Sequence, residues 1–104
     1  MQQLVLQFSP WGSDTRDFDN LISLEQQLID ALAGKASVDG HDMGSNEANI
    51  FIYTPDAGKT FSDAFLVVQR AGLVTILGAA FREVAAEKYT RLWPEGSMTA
   101  FSIT

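Results

Sequence analysis

Leu4, Leu6 and Phe8 alternate with Val5 and Gln7, a period of two that predicts a strand over residues 4–8 with the first three side chains on one face. Ser9-Pro10-Trp11-Gly12-Ser13 is turn chemistry that ends it. From about Asp14–Asp17 to Leu32 the period becomes helical, with Phe18, Leu21, Ile22, Leu28, Ile29 and Leu32 on one apolar stripe. Asp14, Asp17 and Asp19 suit the positive end of that helix's dipole, and Gly34 with Lys35 suits its C-terminal end. Residues 36–43 and 48–54 predict a hairpin turning at Gly44-Ser45-Asn46. Its second arm is apolar on both faces, Ala48, Ile50 and Ile52 on one, Phe51 and Tyr53 on the other. Pro55-Asp56 ends the arm. A second helix is expected from about Lys59 to Ala71, burying Phe61, Ala64, Phe65 and Val68, with Gly72 at its C-cap.

The next stretch fits two periods. Leu77, Ala80, Phe81, Val84 and Ala85 sit at helical spacing, and the alanines favour a helix. Val74-Thr75-Ile76 is β-branched, however, and Leu77, Ala79 and Phe81 alternate, so a strand over roughly 75–83 is preferred. Further short strands at 89–93 and 98–103 flank a Pro94-Glu95-Gly96 turn. The resulting order, βαββαβ with a C-terminal strand extension, is that of a single ferredoxin-like α+β domain over residues 1–104. In that two-layer sandwich, an antiparallel sheet carries two helices on one face. By element order the chain resembles small α+β proteins of bacteria, including those that pair their sheets into dimeric α+β barrels. Val38-Asp39-Gly40-His41-Asp42 followed by Asn49-Ile50-Phe51-Ile52 also resembles small bacterial proteins of this class with no assigned activity. The resemblance covers most of the chain and names no substrate, because one fold hosts many functions.

Composition narrows the classes. With 46% hydrophobic and 19% charged residues the chain is globular in character, and with no cysteine it offers no disulfide, thiolate or Cys-based metal site. A net charge of −6 opposes nucleic-acid and anionic-membrane binding and suits a basic protein partner. The start of the chain has no signal-peptide pattern and no apolar run approaches a membrane span, which points to the cytoplasm.

The candidate chemistry centres on His41, the sole histidine, with Asp39, Asp42 and Glu47 a few residues away. In a regular strand, Asp39 and His41 would share a face, and a carboxylate beside an imidazole makes an acid/base pair. The competing expectation is a water-facing hairpin tip. Metal ligation is short of ligands, and the stretch fails as a calcium loop because His41, Met43 and Ile50 stand where oxygen ligands belong. Gly58-Lys59-Thr60 resembles the tail of a phosphate loop, but Tyr53 holds the place of its first glycine. Thr60 capping a helix is preferred there, with no bound cofactor. Phe51 and Tyr53 oppose the face that helices would cover, so they are the candidate interface of a homodimer. Two functions follow. The first is a non-catalytic interaction module, self-associating through its sheet or acting as an acidic, immunity-type inhibitor of a basic partner. The second is a small cofactor-independent enzyme of the dimeric α+β barrel type, using His41 with Asp39 or Asp42.

Overall fold

Strand alternation and helical stripes sort the side chains onto the two sides of a single sheet. The computed structural model describes residues 1–97 and 100–103. In chain order it contains β1 (Gln2–Phe8), α1 (Thr15–Ala31), β2 (Ser37–Gly44), β3 (Glu47–Thr54), α2 (Ala57–Arg70), β4 (Leu77–Glu83) and β5 (Thr90–Trp93). The strands form a five-stranded sheet in the order β2-β3-β1-β4-β5, antiparallel at every pairing. An antiparallel sheet with two helices is an α+β architecture compatible with a ferredoxin-like sandwich.

β1 lies at the centre, and its register aligns Leu4 with Ile52 and Phe81, Leu6 with Ile50 and Ala79, and Phe8 with Ala48 and Leu77. These rows form the side that the helices cover. The helical stripe of α1 differs from the sequence expectation: Leu21, Leu24, Leu28 and Leu32 are buried, whereas Phe18, Ile22 and Ile29 are exposed. The spacing 21, 24, 28, 32 follows the helix repeat closely. The other three residues lie about 60–120° round from Leu21 and Leu28, so they miss the core.

α1 begins with a capping box. Asp14 accepts a hydrogen bond from the Asp17 backbone N–H at 2.9 Å, and the Asp17 carboxylate accepts one from the Asp14 N–H at 3.2 Å. That carboxylate lies directly over Gly12, where a Cβ would collide with it.

α2 starts at Ala57, earlier than predicted, because Asp56 rather than Thr60 is its N-cap and accepts from the Lys59 N–H at 3.1 Å. Thr60 is buried instead, its hydroxyl 2.6 Å from that of Thr54. Ala64 and Val68 are buried as expected, with Val67. Phe61 and Phe65 are half-buried against Trp93, the latter pair 4.8 Å between ring centroids. The ambiguous segment resolves into a short 3₁₀ turn, Val74–Ile76, followed by strand β4, whose place beside β1 overrides the alanines' helical preference. β5 supplies the C-terminal strand at Thr90–Trp93. The strand expected over 98–103 is absent from 100–103, and the rest of it lies outside the described residues.

Candidate functional site

His41 sits on β2, the strand at one end of the sheet. The register slips between Val38 and Gly40, so Asp39 is an extra, bulged residue. Val38 then aligns with Ile52 and His41 with Ile50, which places both on the helix-covered side. The bulge therefore corrects two expectations. Asp39 and His41 do not share a face, and His41 is not at a water-facing hairpin tip.

The carboxylate that meets the imidazole is Glu25 of α1, at 3.0 Å from Nδ1 to Oε2. The side chains are 26% and 15% exposed, so the pair lies at the edge of the core, beneath its surface. Phe18 presents its ring to the imidazole edge-on at 5.8 Å, so two residues of α1 fix the orientation of one ring. A hydrogen on Nδ1 donated to Glu25 selects the tautomer whose Nε2 is unprotonated. With both nitrogens protonated the contact is an ion pair.

The other candidates are dispersed. Asp39 and Asp42 are exposed, and Asp42 pairs across the ladder with Asn49 on the sheet's other face. Glu47 is buried on that same face, accepting from Asn49 Nδ2 at 3.0 Å, while Asn49 Oδ1 accepts from Gln7 at 3.1 Å. Glu47 is thus part of a structural hydrogen-bond chain across β3 and β1, separated from His41 by the sheet itself. Among the described residues, no three His, Asp or Glu side chains converge as a metal site requires. Glu25 escaped the sequence reading. Its signal was weak: an acid seven residues after Phe18 and four after Leu21, on the flank of the apolar stripe.

Four surface clefts of about 320 to 450 Å³ are lined by residues other than His41 and Glu25. One, of about 440 Å³, lies at the start of α2 between Lys35, Thr54, Lys59 and Asp63. There the helix N-terminus is already engaged by the Asp56 carboxylate, and Lys35 is 3.4 Å from Asp63. A phosphate would meet acids where it needs donors.

The sheet's second face carries Phe51 in a row with Val5 and Ala80, and Tyr53 in a row with Gln3 and Arg82. Part of this face is covered by irregular chain. Tyr89 Oη donates to Gln3 at 3.3 Å, Gln7 donates to the Ser102 carbonyl at 2.9 Å, and Phe101 packs on Tyr89 and beneath the Arg91 guanidinium. These contacts reach β1 and leave Val5 and Ala80 fully buried, while Phe51 and Tyr53 stay half-buried. No helix among the described residues is long and apolar enough to cross a membrane. Comparison with protein-family models, with curated proteins and with solved structures finds no match to this chain.

Proposed function

We propose that the chain is a non-catalytic protein-interaction module, a ferredoxin-like βαββαβ sandwich with a C-terminal strand extension that self-associates through the open face of its sheet. The observation that carries this reading is the pair Phe51 and Tyr53, side by side on β3 and only half-buried, beyond the cover that Tyr89, Phe101 and Ser102 give to β1. Burying the remainder of each aromatic side chain would recover up to about a third of the roughly 1.5–3 kcal/mol that it is worth in full. The dispersal of Asp39, Asp42 and Glu47 away from His41 supports the same reading. Sedimentation velocity at tens of micromolar tests it: a dimer is expected, and Tyr53→Asp should return it to monomer. A wild-type monomer at that concentration rejects self-association.

One observation favours a second reading. The His41–Glu25 contact is an imidazole–carboxylate pair partly shielded from water, and in this reading Glu25 takes the acid/base role in place of Asp39 or Asp42. A small-molecule screen by NMR would support it through a ligand that shifts the His41 ring signals and loses affinity in Glu25→Gln.

A further inference from the structure

The flank of α1 that faces β2 carries an exposed apolar stripe. Phe18, Ile22 and Ile29 fall within about 40° of one another around α1, and they are 44, 38 and 41% exposed. The contacts of Phe18 and Glu25 with His41 show that this stripe occupies the flank of α1 that faces β2. Three large side chains aligned on one flank form a patch, unlike single apolar residues scattered over a surface.

The strand beside that stripe has backbone groups to offer. β2 ends the sheet, so among the described residues one of its edges carries no neighbouring strand. The turn to β3 is the two-residue Ser45-Asn46, with φ of 52° and 62°, the signature of a type I′ hairpin. In such a hairpin the closing pair, here Gly44 and Glu47, exchanges hydrogen bonds. Alternation then directs the N–H and C=O groups of Met43 and His41 away from β3 and toward the open edge.

Charge decides the occupant. The ionisable side chains of β2 besides His41 are Asp39 and Asp42, both exposed, and Asp19 and Asp30 are exposed on α1. Round the helix from Phe18, Asp19 and Asp30 lie at about 100–120° and Arg16 at about 160°, so the charges nearest the edge itself are Asp39 and Asp42. A second copy pairing β2 against β2 would bring these aspartates toward one another, and like charges across a ladder destabilise it.

We infer that the β2 edge accepts an extended segment of another protein as an added strand, its residues alternately apolar and basic. The apolar residues would lie under Phe18, Ile22 and Ile29, and the Lys or Arg residues on the opposite side beside Asp42. This deepens the interaction-module reading but uses a surface separate from Phe51 and Tyr53.

The test titrates the ¹³C,¹⁵N-labelled full chain with an eight-residue peptide of alternating Val and Lys, with a Val/Glu peptide as control. Shifts are expected at the His41 and Met43 amides and at the Ile22 and Ile29 methyls, with the Val/Glu peptide binding at least tenfold more weakly. Asp42→Lys should weaken Val/Lys binding at least tenfold. Met43→Pro, which removes an outward N–H, should do the same while its spectrum elsewhere stays that of the folded protein. Equal binding of both peptides overturns the inference, as does binding that Asp42→Lys leaves unchanged. Concentration-dependent shifts of the same amides without peptide assign the edge to a second copy and also overturn it. A footprint confined to Phe51 and Tyr53 rejects the edge but leaves the interaction module standing. No binding at millimolar peptide, with monomeric sedimentation, removes both.

Discussion

The two sides of the sheet are closed by different means. On the helix side, Leu4, Leu6, Phe8, Ile50 and Ile52 are fully buried beneath the leucines of α1 and the small residues of α2. On the other side an equally buried apolar row, Val5 and Ala80, lies between polar rows built on Gln3, Gln7 and Asn49, under chain with no regular structure. The first closure rests mainly on packed apolar area, with the buried Thr54–Thr60 hydroxyl pair as one polar link between β3 and α2. The second depends on hydrogen bonds that must all be made, because a buried amide without a partner costs more than a made bond returns. The helix side therefore holds the fold, and the open side is where small changes alter what the surface presents.

Substitutions can break or sharpen this contrast. Leu6→Ala should have the largest effect, a loss of about 3 kcal/mol from cavity formation, measured by urea denaturation. A loss below about 1 kcal/mol would mean the helix side is loosely packed. Asn49→Ala deletes the middle of the Glu47–Asn49–Gln7 chain and should cost about 2 kcal/mol. If the cost equals that of an exposed substitution, the open side is not held by its polar rows. His41→Ala removes the Glu25 contact and the Phe18 ring packing at the rim of the helix side, and should cost about 1 kcal/mol in thermal melts. Asp39→Ala should be the mildest, within about 0.5 kcal/mol, since its side chain is exposed at the bulge. A cost for Asp39→Ala matching that of His41→Ala would reinstate Asp39 as the partner of the imidazole.

Period-two and helical patterning made β1, both faces of β3 and the existence of both helices legible, because those segments each bury one consistent set of side chains. It misplaced Phe18, Ile22 and Ile29, which share a helical stripe with one another but not with Leu21 and Leu28. The candidate site was legible only in part. His41 was visible as the sole imidazole, but its partner depended on a one-residue bulge, and a single inserted residue inverts every facing that follows it. Glu25 lies 16 residues away in sequence, and only the docking of α1 on β2 joins the two. β4 was settled by its pairing with β1, a non-local contact that outweighs the alanines within the segment.

The carboxylate of Asp17 that closes the start of α1 rests over Gly12, and this couples two positions as substitutable units. An alanine at 12 must displace the Asp17 side chain and so forfeits the reciprocal half of the cap as well as the space. If Asp17 has already been replaced by serine, the same alanine no longer meets that carboxylate and should carry a smaller further penalty. The double-mutant cycle over Gly12→Ala and Asp17→Ser should consequently be sub-additive, and along any line of descent the order of the two exchanges would matter: losing the acid first opens the route, and losing the glycine first obstructs it.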